Sequence, residues 1–161
     1  MEGKILVACV GNIFLGDDAF GVEVAQRLAS VVLPEHVVVK DFGIRSYDLA
    51  YALIENWELT ILVDAVPQGG VPGTVYVIEP DASVVDGGAS LDAHSMNPVS
   101  VIQLVHALGG QLGRMLVVGC EPATVSDNGQ FGLSEPVQAA VTEAVTAIKE
   151  LVARNTRATA A

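Results

Sequence analysis

Short, uninterrupted apolar runs that alternate with amphipathic segments constrain the fold of this chain more than any other feature. Runs such as ILVACV, which begins at Ile5, are typical of strands that are buried on both faces of a sheet. Between the runs, apolar residues recur at helical spacing, as at Phe20, Val24 and Leu28. The predicted strands are 5–10, 36–40, 59–63, 74–78 and 115–118, and the predicted helices are 19–31, 47–55, 98–108 and 135–154.

Strands that alternate with helices predict a mostly parallel sheet covered by helices on both sides. The fourth strand is an exception, because the loop 67–73 before it is too short to hold a crossover helix, and this strand is expected to run antiparallel. The predicted fold class is α/β, a three-layer αβα sandwich with a mostly parallel, twisted five-stranded sheet that has one antiparallel strand. A single domain is expected over residues 1–154, followed by a frayed tail over residues 155–161.

Composition excludes several classes of protein. The chain has 161 residues, of which 51% are apolar and 17% charged, which argues against disorder. Its net charge of -11 disfavours nucleic acid as a partner, because phosphate contacts need a basic face. No apolar stretch approaches the roughly 20 residues that span a bilayer, and no signal peptide opens the chain, so a cytoplasmic protein without a membrane partner is expected. Cys9 and Cys120 lie in apolar runs and are expected to be buried.

Acidic residues and one histidine follow the predicted strands near their carboxyl ends. They are Asp17, Asp18, Asp41, Asp64, Asp92 and His94. In open α/β sheets, sites form in the crevice beyond these strand ends, and carboxylate and imidazole groups suit nickel, iron or zinc. The structural alternative is that an aspartate at the start of a helix only caps it, which is expected of one member of the Asp17–Asp18 pair.

The segment GNIFLG, residues 11–16, leaves a second kind of function open. Its position between a strand and a helix is that of a phosphate-binding loop. Asp17 and Asp18 oppose this interpretation, because they place carboxylates where a phosphate needs the positive end of the helix. No common catalytic motif of the H-E-x-x-H or G-x-S-x-G type is present.

Residues 11–21, GNIFLGDDAFG, resemble the G-N-x-x-x-x-D-[DE]-x-x-G signature of the nickel-iron hydrogenase maturation proteases. Shorter matches follow in family order over nearly the whole chain. They are Asp41-Phe42-Gly43, Leu62-Val63-Asp64-Ala65, Pro72-Gly73-Thr74, His94 and Val118-Gly119-Cys120-Glu121-Pro122. Where many members have D-G-G-T after the second strand, this chain continues from Gly43 with Ile44 and has Phe42 at the first glycine.

The resemblance implies an endopeptidase that removes a short C-terminal extension from a nickel-iron hydrogenase large-subunit precursor after nickel insertion. It assigns metal contact and catalysis to Asp18, Asp64 and His94, and it leaves Asp17 with the capping role. Nickel is expected to arrive with the precursor, so that no permanently bound cofactor is expected, and the enzyme is expected to be a monomer. No serine or cysteine has a supporting constellation, which favours direct attack by water.

Two alternatives stay open at the level of sequence. The attacking water can be activated by the metal or by a carboxylate, and the residues do not decide between them. The alternative function is a nucleotide-binding or metal-binding α/β module without peptidase activity.

Overall fold

A five-stranded sheet forms the middle layer of the protein. The computed structural model describes residues 3–80, 97–123 and 131–160. The strands are β1 (Ile5–Val10), β2 (Val37–Gly43), β3 (Leu59–Ala65), β4 (Val75–Ile78) and β5 (Arg114–Cys120), and the helices are α1 (Phe20–Leu28), α2 (Ser46–Ile54), α3 (Pro98–Ala107) and α4 (Glu135–Ala160). A 3-10 turn, Gly16–Ala19, precedes α1.

The strand order is β2-β1-β3-β5-β4. The four strands β2, β1, β3 and β5 are parallel, and β4 runs antiparallel to β5. The predicted fold class is therefore confirmed, including the antiparallel strand after the short loop. Since the parallel strands all end at the same edge of the sheet, the residues that follow them gather there.

Two cores lie on opposite faces of this sheet. Helices α1 and α4 cover one face, and α2 and α3 cover the other. Successive side chains of a strand point to opposite faces, so odd-numbered residues of β1 pack with the first pair of helices and even-numbered residues pack with the second. This double burial explains the uninterrupted apolar sequence of the central strands. Both cysteines are buried and free, as expected.

Helix α1 begins in direct contact with the ends of two strands. A Cβ atom at Gly21 would collide with the carbonyl oxygen of Val10 and would lie 2.6 Å from that of Val63. The last glycine of the GNIFLGDDAFG segment is thus a packing requirement, because only a residue without a side chain permits this approach. The approach fixes the 3-10 turn beside the carboxyl edge of the sheet.

Two helices end more than one residue away from their predicted ends. The first predicted helix, 19–31, ends earlier, at Leu28, and the 3-10 turn lies before it. The last helix continues to Ala160, beyond the predicted end at Arg154. Two long-range contacts explain this difference: Arg114 Nη1 donates to Asn155 Oδ1 at 3.0 Å, and the Thr156 hydroxyl lies 3.0 Å from His36 Nε2.

Within the residues that the structure describes, no helix is both long and apolar enough to cross a membrane.

Candidate active site

The carboxyl edge of the sheet brings Asp18 and Asp64 into electrostatic contact. Asp64 lies near the end of β3, and Asp18 lies in the 3-10 turn, which packs against β3. The packing of the 3-10 turn against β3 places the two carboxylates near each other, and the negative charge of Asp18 is accordingly one cause of the raised pKa of Asp64. Two of the three residues predicted for the site therefore share one location.

Both carboxylates are held in surroundings that disfavour their charge. Asp64 is 3% exposed, and burial together with the charge of Asp18 raises its pKa well above the usual range, against an opposing hydrogen bond from the backbone of Ala65. Burial also raises the pKa of Asp18, although the Asn12 N–H donates to Asp18 Oδ2 at 3.1 Å and partly offsets this rise. A bound cation or a proton would stabilise such a pair.

Asp17 has a different role from its neighbour and from the one expected of it. The sequence predicts that Asp17 caps its own helix, but neither the 3-10 turn nor α1 has a side-chain cap, so this prediction is wrong. The side chain of Asp17 is 1% exposed. Its Oδ1 accepts a hydrogen bond from Ser134 N at 2.7 Å, and its Oδ2 accepts from Ala123 N at 2.8 Å and from Ser134 Oγ at 2.9 Å. Ser134 directly precedes α4, so Asp17 anchors the start of that distant helix and the segment after β5.

Glu121 is a buried acid to which the sequence analysis assigned no role. Its carboxylate accepts from the backbone N–H groups of Gln68 at 2.9 Å and Gly70 at 2.6 Å, and from the hydroxyl of Tyr76 at 3.0 Å. Burial acts to raise the pKa of Glu121, but these hydrogen bonds outweigh it and hold the pKa below the ordinary value. Glu121 thus ties the loop before β4 to the end of β5. The sequence feature that could have identified Glu121 is its position directly after a buried strand.

The predicted third ligand, His94, and the nearby Asp92 lie outside the described residues. Within residues 3–80, 97–123 and 131–160, no group of three His, Cys, Asp or Glu side chains could hold a metal ion. The described part of the chain therefore contains two of the three predicted ligands, Asp18 and Asp64, and the metal-binding role of all three residues stays a prediction.

Asp41 lies at the end of β2 and shapes the backbone there. Its Oδ1 accepts from Gly43 N at 2.8 Å, and Gly43 has a positive φ of 53°.

Phe42, which replaces a glycine of many family members, is fully buried in the core between the sheet and α2. Ile44, which replaces a threonine, is 63% exposed. Of the two departures from the family pattern, only the one at Ile44 changes the surface.

A cleft of about 320 Å³ lies between the turn after β1 and the end of β2. Its walls are formed by the two segments on either side and by α1. The lining residues are Gly11, Asn12, Ile13, Phe14, Val22, Gln26, Asp41, Gly43 and Ile44.

Hydrogen bonds within the turn after β1 argue against a phosphate-binding loop. The N–H of Asn12 donates to Asp18, and the N–H of Phe14 donates to Asn12 Oδ1 at 2.9 Å. Backbone donors that would have to face an anion are therefore used by side chains of the turn itself.

The two cysteines are unsuited to nucleophilic catalysis. Burial, with a smaller contribution from Asp41, raises the pKa of Cys9 to about 12. Burial is also the largest of several causes that raise the pKa of Cys120 to about 12. A thiol becomes a nucleophile by losing its proton, so both side chains are inert packing residues at neutral pH.

Fold and site together define an α/β protein that has two neighbouring carboxylates with raised pKa at the carboxyl edge of its sheet. Residues 22–151 match the family model of the hydrogenase maturation proteases (HycI), which is most of the chain. The chain belongs to the hydrogenase maturation protease family, and its reaction class is the hydrolysis of peptide bonds.

Individual relatives agree with this assignment. The chain is 34% identical over 144 residues to a putative hydrogenase maturation protease of Methanocaldococcus jannaschii, a match that covers 88% of this chain and 91% of the relative. It resembles the crystal structure of a hydrogenase 2 maturation peptidase from a Thaumarchaeota archaeon, with 28% identity, a TM-score of 0.69, and coverage of 92% and 97%. The hydrogenase-maturating endopeptidase HybD of Escherichia coli shares the fold, with 23% identity, a TM-score of 0.75, and coverage of 94% and 93%.

Proposed function

We propose that this protein removes the C-terminal extension from a nickel-iron hydrogenase large-subunit precursor after nickel has been inserted. Membership of the family gives the reaction class. The observation that carries the proposal further is the pair of Asp18 and Asp64, two carboxylates with raised pKa at the edge where α/β proteins form their sites. We further propose that the protein acts as a monomer in the cytoplasm.

The pair can take part in hydrolysis in two ways. Burial and mutual repulsion make the two charges costly, and a cation presented by the substrate would relieve that cost, so the pair is suited to dock a metal-bearing segment. Alternatively, a carboxylate with a raised pKa is a stronger base than an ordinary one and can accept a proton from the attacking water. His94 is proposed as the third donor of this site.

Nickel is proposed to be part of the substrate. Two carboxylates and one imidazole, without a thiolate, discriminate weakly among divalent ions and retain nickel poorly against water. The precursor then supplies the metal, and a precursor without nickel is left uncut. In this reaction the site recognises the nickel and positions the adjacent peptide bond.

Mass spectrometry of the precursor after incubation tests the proposal. The purified protein is mixed with nickel-loaded and with nickel-free precursor, and loss of mass at the C-terminus is expected only for the loaded form. Elemental analysis of the isolated protein is expected to find little nickel. Stoichiometric nickel in the protein, or efficient cleavage of the empty precursor, would contradict a substrate-borne metal.

Substitutions test the residues. Asp18→Asn, Asp64→Asn and His94→Gln are each expected to abolish nickel-dependent cleavage, because an amide is a poor ligand and a poor base. The matched control is Asp48→Asn in the first turn of α2, where the aspartate side chain is 59% exposed and forms an ion pair with Arg45, which directly precedes the helix. Retained cleavage in either site Asp→Asn variant would remove that residue from the site.

A further inference from the structure

Four large apolar side chains are exposed around the cleft. Ile13 is 48% exposed, Phe14 57%, Ile44 63% and Phe131 75%. We call these four residues the rim. Ile13 and Phe14 line one wall of the cleft, and Ile44 lines the opposite wall.

The rim is an organised surface. Phe14 and Phe131 come from segments far apart in the sequence, yet their rings meet edge to face with centroids 5.7 Å apart and an interplanar angle of 73°. Single exposed apolar residues are common on soluble proteins, but neighbouring ones beside a cleft mark a surface that binds another molecule.

Hydrogen bonds connect the rim to the candidate catalytic pair. The N–H of Phe14 donates to the side chain of Asn12, and the N–H of Asn12 donates to the carboxylate of Asp18. The turn that presents Ile13 and Phe14 is therefore fixed to one of the two acids. A chain that lies on the rim passes along the turn that holds Asp18.

The charge of the cleft restricts what can bind there. Among the described lining residues, Asp41 is the charged one, and none is a lysine or an arginine. An acidic segment would be repelled, since like charges brought together at an interface are costly. The volume of about 320 Å³ lies at the lower end of the range for ligand clefts, which suits a few apolar side chains better than a folded surface.

We propose that the rim is the docking surface for an extended, apolar segment of the precursor next to the bond that is cut. This inference rests on the proposed function, which requires a protein substrate to reach Asp18 and Asp64. The rim supplies affinity for the polypeptide, whereas the carboxylates interact with the metal and the reacting atoms. The two contributions are separable by experiment.

The test compares KM and kcat for cleavage of the nickel-loaded precursor. Phe14→Ser is expected to raise KM about tenfold with little change in kcat, which is the loss typical of removing one aromatic contact from an interface. Ile44→Thr, which keeps the branched Cβ, is expected to raise KM by a smaller factor. The matched control is Val32→Ser, because Val32 is 97% exposed and lies beyond the far end of α1. Thermal unfolding of each variant checks that the fold is retained.

Binding of the nickel-free precursor to the wild-type protein and to Phe14→Ser separates this inference from the proposed function. A KM that stays constant in both rim variants, or a loss confined to kcat, overturns the docking surface and leaves the function standing. Rim-dependent binding without cleavage of either precursor form overturns the function and leaves the docking surface. If sedimentation shows a wild-type dimer that Phe14→Ser converts to a monomer, the rim joins two copies of this chain and the proposal is wrong.

Discussion

Replacing Asp17 by asparagine is expected to destabilise the protein strongly, although the change removes only a charge. Among the described residues of the native structure, three donors contact the Asp17 carboxylate: two backbone N–H groups, of Ala123 and Ser134, and the Ser134 hydroxyl. Asparagine keeps one acceptor oxygen, so its amide NH₂ must face an N–H group that it cannot satisfy. One lost hydrogen bond to a charged group and one unsatisfied buried donor together cost about 3 kcal/mol.

Urea unfolding, followed by circular dichroism and by the fluorescence of the single tryptophan, Trp57, measures this loss. A decrease of about 3 kcal/mol in the free energy of unfolding corresponds to a melting temperature lowered by about 10 °C in a protein of this size. Asp48→Asn is the matched control and is expected to stay within about 0.5 kcal/mol. A helix-capping aspartate would tolerate asparagine, so a loss below about 1 kcal/mol in Asp17→Asn would refute the anchoring role.

Three further predictions concern the surroundings of the site. Asp64→Asn is expected to raise the free energy of unfolding at pH 7 by on the order of 1 kcal/mol, as substitutions that relieve strain at functional sites do. Because the pKa of Asp64 is raised on folding, this gain in stability should vanish in acid, where the wild-type carboxyl is protonated in both the folded and the unfolded state. Gly21→Ala should cost about 1–3 kcal/mol by overpacking, measured in the same urea assay. Because the pKa of Glu121 is lowered on folding, its carboxylate should stabilise the protein at pH values above the ordinary pKa of glutamate. This stabilisation should be lost as the pH falls through the lowered pKa, so the free energy of unfolding of Glu121→Gln should depend less on pH in acid than that of the wild type.

Most of the fold follows from local sequence because the pattern and the burial agree. The central strands β1, β3 and β5 are buried on both faces, so nearly every residue in them is apolar and their positions are evident. The antiparallel direction of β4 follows from loop length alone. By contrast, the end of α4 depends on contacts of Asn155 and Thr156 with distant residues, which no local pattern contains.

The candidate site was predictable only in part, for a related reason. The position of Asp64 near the end of a buried strand is a local feature, and the fold then places it beside Asp18. The roles of Asp17 and Glu121 depend on donors that come from segments far along the chain, so the sequence marks these acids as notable without identifying their partners. An aspartate before a helix suggests a cap, and only the tertiary structure shows that the partner is the start of α4 instead.

The environments of the two adjacent aspartates separate structural from functional carboxylates. Asp17 accepts three hydrogen bonds from donors in the described part of the chain and is sealed from solvent, so its charge is compensated within the fold. Among the described residues, the Asn12 N–H is the backbone donor to the Asp18 side chain; Asp18 is only half-buried and has a raised pKa, so its charge is incompletely compensated. Asp64 is deeply buried and has a pKa that Asp18 raises further. Proteins keep destabilising charged groups where function requires them. Asp18 and Asp64 are the carboxylates whose charge is incompletely compensated, so they are the ones that binding of a cation or proton transfer from a reacting water would stabilise most.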